Sequence, residues 1–137
     1  MLPVRLLRAY RSTAYHVPGA VVRIGCREPM VDRLLDRHRQ RTGVLITAWN
    51  PFSRRMPSGW NARMQQALAQ ALHRRTTLPA SGRWRRWSED HLLALIAPEP
   101  AAVLARRFRQ NAIVILRPRQ PARLYSTYPR QSAPSHP

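Results

Sequence analysis

At 137 residues the chain can bury the core of one domain but not of two. A formal charge of +18, from 24 basic residues against 6 acidic ones, points toward anionic partners such as nucleic acid. The single cysteine, Cys26, rules out an internal disulfide and suits a reducing compartment, and no apolar run approaches the length of a membrane span.

The charge carries little pattern. Every basic residue is arginine and none is lysine, a usage that fits genome-wide base-composition bias. Residues 1–68 and 69–137 each hold 12 arginines and 3 acids, so no basic tail stands against a neutral body. Incidental, non-specific affinity for nucleic acid therefore ranks ahead of a dedicated nucleic-acid module.

Taken in chain order, Met1 to Arg11 reads as an amphipathic helix with Leu2, Leu6, Leu7 and Tyr10 inward. Arg5 and Arg8 break it too often for a signal peptide, and the expected location is the bacterial cytoplasm. Ala20 to Gly25 alternates as a half-buried strand. Glu28-Pro29 opens a helix with Met30, Val31, Leu34, Leu35 and His38 on its apolar stripe, ended by Gly43. Gly43 to Ala48 is a buried strand, which Pro51 terminates by forcing Asn50 out of the helical region. Asn50 and Ser53 have the side chains to shape a turn there.

Ser58 is a suitable N-cap for a helix running from Gly59 to Arg75, with Trp60, Met64, Ala67, Leu68, Ala71 and Leu72 inward. Asn61 shares that stripe, and a buried amide needs partners. The turn at Asn50 is the nearest supply. Residues 76–87, with Pro79 and Gly82, read as a turn with an edge hairpin. His91 to Ile96 is a strand, Pro98 to Arg109 a helix, Ala112 to Leu116 a strand, and Ala122 to Ser126 an edge strand paired with it. Residues 1–126 form one domain, and the Pro/Ser-rich residues 127–137 form a disordered tail.

This alternation predicts a layered α+β sandwich, with one mixed sheet of about four to six strands covered by three or four helices. The helix at 98–109 is long enough to connect strands 91–96 and 112–116 in parallel. Glu89, Gln110 and Asn111 then lie at one rim of the sheet. Asn50 joins them only if strand 43–48 runs antiparallel to that pair.

The sequence holds no glycine-rich phosphate loop, nucleophile elbow or dinucleotide fingerprint, and its five histidines show no metal-ligand spacing, so no cofactor or metal is expected. Cys26 reads as a small buried side chain. The polar residues singled out are Asn50, Ser53, Asn61, Glu89 and Gln110, with Arg54 and Arg109 bordering the same rim. They describe either a pocket for a small polar ligand or a buried network that pins loops to the sheet. The flanking guanidinium groups favour an anionic ligand. Trp84 and Trp87 interleave with Arg83, Arg85 and Arg86, a pattern able to stack bases or an acidic partner.

These residues also carry a resemblance. Tyr10 with Thr13 and Tyr15, Arg23-Ile24-Gly25, Thr47-Ala48-Trp49-Asn50-Pro51 with Ser53, Asn61, Trp87 with Glu89, and Phe108 with Gln110-Asn111-Ala112 resemble the bacterial domain-of-unknown-function family numbered 3293. Arg109 stands where the family pattern has a small residue, and Asp90-His91 replaces an acidic-then-Ser pair. The resemblance implies one domain and brings no activity with it. The leading expectation is a cytoplasmic domain binding a small anionic or polar ligand through the Asn/Ser/Glu/Gln rim. A phosphate-binding, nucleic-acid-associated protein is the alternative. An enzyme with Glu89 as general base ranks last, because one carboxylate without a partner is thin support for catalysis.

Overall fold

The computed structural model describes residues 2–128. Its elements are α1 (Val4–Ser12), β1 (Ala14–Val17), β2 (Ala20–Val22), α2 (Pro29–Arg37), β3 (Gly43–Ile46), α3 (Ser58–Ala71), β4 (Thr77–Trp84), β5 (Trp87–Ala94), α4 (Pro98–Arg107), β6 (Ala112–Leu116) and β7 (Arg123–Ser126). The α+β class and the four helices match expectation. The sheet departs from it: seven strands in the order β2-β1-β4-β5-β3-β6-β7, antiparallel at every strand pairing rather than mixed.

Two tight hairpins account for the extra strands. Val17 pairs with Ala20 across Pro18-Gly19, where Gly19 takes φ +77, the left-handed conformation such a turn requires. Trp84 pairs with Trp87 across Arg85-Arg86, and Arg85 adopts φ +56 without being a glycine. That second hairpin makes most of the turn and edge hairpin expected at 76–87 into one eight-residue strand inside the sheet, and it starts β5 at Trp87 instead of His91. Pro79 is tolerated in β4 because β1 covers that strand only as far as Ser81, which leaves the proline beyond its end.

Strands β5 and β6 do point the same way, but they are not neighbours. β3 lies between them, antiparallel to both, so α4 crosses over one intervening strand. This is the arrangement that brings Asn50 to the rim of Glu89.

Period-two alternation sorts the sheet residues into two cores. Val44, Ile46, Ala94, Ile113 and Ile115 pack under α3 and α4, against Leu68, Leu72, Ala101, Ala105 and Phe108. On the other face Leu45, Leu93, Leu95, Val114 and Leu116 pack against Val31, Leu34 and Leu35 of α2. The sheet curls toward this second face until its ends meet. Ile24, just after β2, bridges Ala122, just before β7, with Gly25 N–H donating to the Ala122 carbonyl at 2.8 Å. Thus α2 plugs one end of the curl. α1 lies over the other, and none of its residues is fully buried.

Several smaller expectations change. Cys26 is exposed, because it sits in the loop that makes the Ile24–Ala122 junction, where only its backbone is engaged. Pro57, not Ser58, is the N-cap of α3, and Ser58 is its first residue. Asn61 and Leu68 are the buried residues of that helix, while Ala67 and Ala71 face outward. Thr127 is buried, donating its hydroxyl to the Gln110 carbonyl at 2.6 Å and its N–H to Asn111 at 2.9 Å. The rest of the expected tail lies outside the described residues from 129 onward.

Leu35 is fully buried between α2 and the curled face. Leu35→Ala should cost about 2–5 kcal/mol, read as a lower denaturant midpoint at unchanged slope. Val103→Ala, on the outer face of α4, should stay within about 0.5 kcal/mol of wild type.

Candidate functional site

A cavity of about 250 Å³ opens between α1 and the curled face of the sheet. Each wall follows from strand parity. β5 turns Glu89 and His91 inward, two residues apart on one face, and β4 places Gly82 opposite Glu89. β1 contributes Tyr15, which pairs with the same glycine. A Cβ at Gly82 would lie 3.0 Å from His91 Cε1 and 3.4 Å from both Thr13 and Tyr15, so its missing side chain is part of the cavity's shape. Leu45 and Thr47 of the β3 segment and Ala112 and Val114 of β6 form the floor. Leu6, Ala9 and Tyr10 of α1 form the roof, and Trp84 and Trp87 stand at the hairpin side.

The turn after β3 supplies the polar corner. Asn50, Phe52 and Ser53 all hold positive φ (46°, 51° and 61°), a conformation that asparagine tolerates and that is unfavourable for phenylalanine. Three contacts hold it. Asn61 Oδ1 accepts from the Asn50 N–H at 2.9 Å, Asn61 Nδ2 donates to Asn50 Oδ1 at 3.0 Å, and Phe52 N–H donates to the Arg109 carbonyl. Asn50 Oδ1 also accepts from the Met56 N–H at 2.8 Å. With its carbonyl end fixed, Asn50 aims Nδ2 at Glu89 Oε1, 2.9 Å away. Trp87 Nε1 donates to that same oxygen at 2.7 Å.

Of the residues singled out from sequence, Asn50, Ser53, Glu89 and Gln110 line this cavity. Asn61 stands behind Asn50 and positions it. Glu89 lies within β5 rather than before the strand. Arg54 and Arg109 are exposed and do not line the cavity; Arg109 serves the turn through its carbonyl alone. Its φ of +57 explains why a small residue suits that position. No arginine lines the cavity, so the guanidinium argument for an anionic ligand does not carry over.

Tyr10, Tyr15, Trp84, Trp87 and His91 are lining residues that sequence reasoning did not assign. Tyr10 was legible as an inward helix residue and Tyr15 only through the family resemblance. For His91 the signal was alternation with Glu89, hidden by starting the strand too late. Burial, helped by the Glu89 carboxylate, pushes the Tyr10 hydroxyl up to about 12, so it stays protonated beside Ser53. Tyr15 is raised further by burial and by Tyr10. Its ring meets His91 edge-on, with centroids 5.5 Å apart. Burial lowers His91 below its ordinary value, against the opposing pull of Glu89 and Asp90. Among the described residues no three His, Cys, Asp or Glu side chains cluster in a way that could hold a metal ion.

Two measurements follow from this geometry. Asn50→Ala leaves Asn61 and Glu89 short of partners and forces alanine into the left-handed region. It should cost about 1–3 kcal/mol for the lost hydrogen bonds, and Asn50→Gly should be about 1 kcal/mol milder because glycine accepts the backbone. Chemical denaturation of both variants separates the two terms. Because folded His91 binds its proton more weakly than the unfolded chain, stability should fall as pH drops below 6.5 and be unaffected by this group above it. His91→Gln should flatten that slope in urea titrations from pH 7 to pH 5.

No curated protein and no solved structure matches the chain. A family model matches residues 46–113, from the end of β3 to the start of β6. Tyr10, Thr13, Tyr15 and the Arg23-Ile24-Gly25 run fall outside that span. Across the stretch that holds the Asn50 turn, the Trp84–Trp87 hairpin, Glu89 and Gln110, the chain resembles the family described as Protein of unknown function (DUF3293).

Proposed function

We propose that the chain binds a small polar ligand in the cavity between α1 and the curled sheet. The observation that carries this reading is convergence. Tyr10, Asn50, Ser53, Glu89, His91 and Gln110 come from four separate segments and meet around one space of about 250 Å³. A concave, mostly apolar site with a few oriented polar groups is the usual form of a small-molecule pocket. Three left-handed residues in one four-residue turn are a local cost that such a site explains.

A second reading is catalysis with Glu89 as general base. It gains from His91, which shares the face of Glu89 two residues on and is held neutral, hence proton-accepting, near pH 7. Binding of nucleic acid phosphates gains nothing comparable. The arginines are spread along the chain, with exposed ones on all four helices and in the loops and hairpins between them.

A thermal-shift screen of small polar compounds, run on wild type and on Ala112→Leu, tests the binding reading. Ala112 lines the floor and is almost fully buried, so leucine there intrudes on the cavity. Compounds that raise the wild-type melting temperature should lose their effect on a folded Ala112→Leu protein. A screen without hits, or hits indifferent to Ala112→Leu, removes the cavity as the site.

A further inference from the structure

We infer that the ligand presents a cationic nitrogen bearing hydrogens, of the amidinium, guanidinium or ammonium type, to Glu89 Oε2. The inference rests on the cavity being the binding site and specifies what the cavity selects.

Charge placement is the first support. In a chain of 24 arginines and 6 acids, the lining contains no arginine and one carboxylate, Glu89. The ion pairs among the described residues join Arg27 to Asp32 and Arg119 to Asp36, and Glu89 takes part in neither. A partly buried carboxylate left without a cation loses hydration and gains no Coulombic return. Guanidinium groups are close at hand: Arg55 lies 5.9 Å from the Trp87 ring and Arg85 lies 5.0 Å from the Trp84 ring, both outside the cavity.

Hydrogen-bond accounting points the same way. Both donors that fix Glu89, Asn50 Nδ2 and Trp87 Nε1, reach Oε1. Oε2 receives no hydrogen bond from the described residues. Gln110 Nε2 is taken by the carbonyls of Trp49 at 3.0 Å and Phe108 at 3.2 Å, which turns its Oε1 into the free end. Asn111 Nδ2 is taken by Ser53 Oγ at 2.8 Å. The Glu89 carbonyl can only accept, so the 3.2 Å contact from His91 Nδ1 requires the proton there and leaves Nε2 as an acceptor. Beside Glu89 the amide and indole donors end on protein atoms and the acceptors are left open, while the hydroxyls of Tyr10 and Tyr15 and the Trp84 indole N–H stand as donors elsewhere on the lining. A donor-rich ligand is the complement, and the faces of Tyr10 and the two indoles attract a cation further.

Benzamidine, benzamide and benzoate share one shape and carry a positive, a zero and a negative charge. Titrated into the full chain and followed by indole N–H resonances and calorimetry, benzamidine should bind saturably and benzoate should not. Glu89→Gln keeps an acceptor for Asn50 and Trp87 but removes the charge. It should weaken benzamidine by about tenfold or more while leaving benzamide unchanged. Benzoate or benzamide binding as tightly as benzamidine overturns the inference, as does a folded Glu89→Gln that binds benzamidine undiminished. Failure of all three to bind also overturns it, whereas the cavity reading itself stands or falls on the Ala112→Leu screen.

Discussion

The forked contact between Asn61 and Asn50 sets the geometry of everything around it. One side-chain amide on α3 accepts from the backbone N–H and donates to the side-chain oxygen of a residue held at φ +46. An amide matches those two groups as a neighbouring strand would, and it does so where β3 has already ended. Remove it, and a buried N–H loses its partner while the Asn50 side-chain oxygen is left with the Met56 N–H alone. Asn50 would then be free to leave the left-handed region, Nδ2 would no longer point at Glu89, and the carboxylate would lose one of its two orienting donors. The turn, the helix and the strand are thus coupled through one pair of amides.

Curling supplies the space that this coupling borders. An antiparallel sheet with both faces covered could have been flat, with its two cores equally filled. Here the junction of Ile24 with Ala122 draws the outer strands together, and α2 fills only part of the enclosed face. The remainder is roofed by α1, whose Leu6, Leu7, Ala9 and Tyr10 are half-buried and none fully so. A helix that buries no residue completely contributes less to the core than its apolar stripe could. That shortfall is the physical counterpart of the cavity beneath it.

Much of this was legible in the residues, and the reasons for the gaps are specific. Asn61 was read as inward from its place on the stripe with Leu68, and Asn50 was tied to the rim of Glu89 by strand direction alone. Both follow from periodicity, which the chain states clearly. The Ala14–Val17 strand was missed because four residues give too short a window for alternation, although Pro18-Gly19 was available as a turn signal. An edge hairpin was read within residues 76–87 around Pro79 and Gly82, but its turn was misplaced because Arg85-Arg86 lacks the glycine or asparagine that announces such turns. Once β5 was started at His91, Glu89 fell outside it and the shared face of the two residues could not be seen. Curling left no local mark at all, since it depends on a contact between residues 24 and 122.

A network that exists only to pin loops has no reason to be one-sided. Its donors and acceptors would be matched, because an unmatched polar atom inside a protein costs stability and confers nothing on the fold. The asparagine pair meets that standard. The corner around Glu89 does not: the donors of Asn50, Trp87 and Gln110 end on protein atoms, while Glu89 Oε2 and Gln110 Oε1 receive nothing from the described residues. The asymmetry also runs against composition, since a chain with four arginines for every acid could have closed its carboxylate with a guanidinium at little cost. Lack of a partner alone does not mark the site, since Trp49 Nε1, Gln65 Nε2 and Asn111 Oδ1 are buried and unpaired away from the cavity lining. What sets Glu89 apart is that its open oxygen carries charge and borders the cavity.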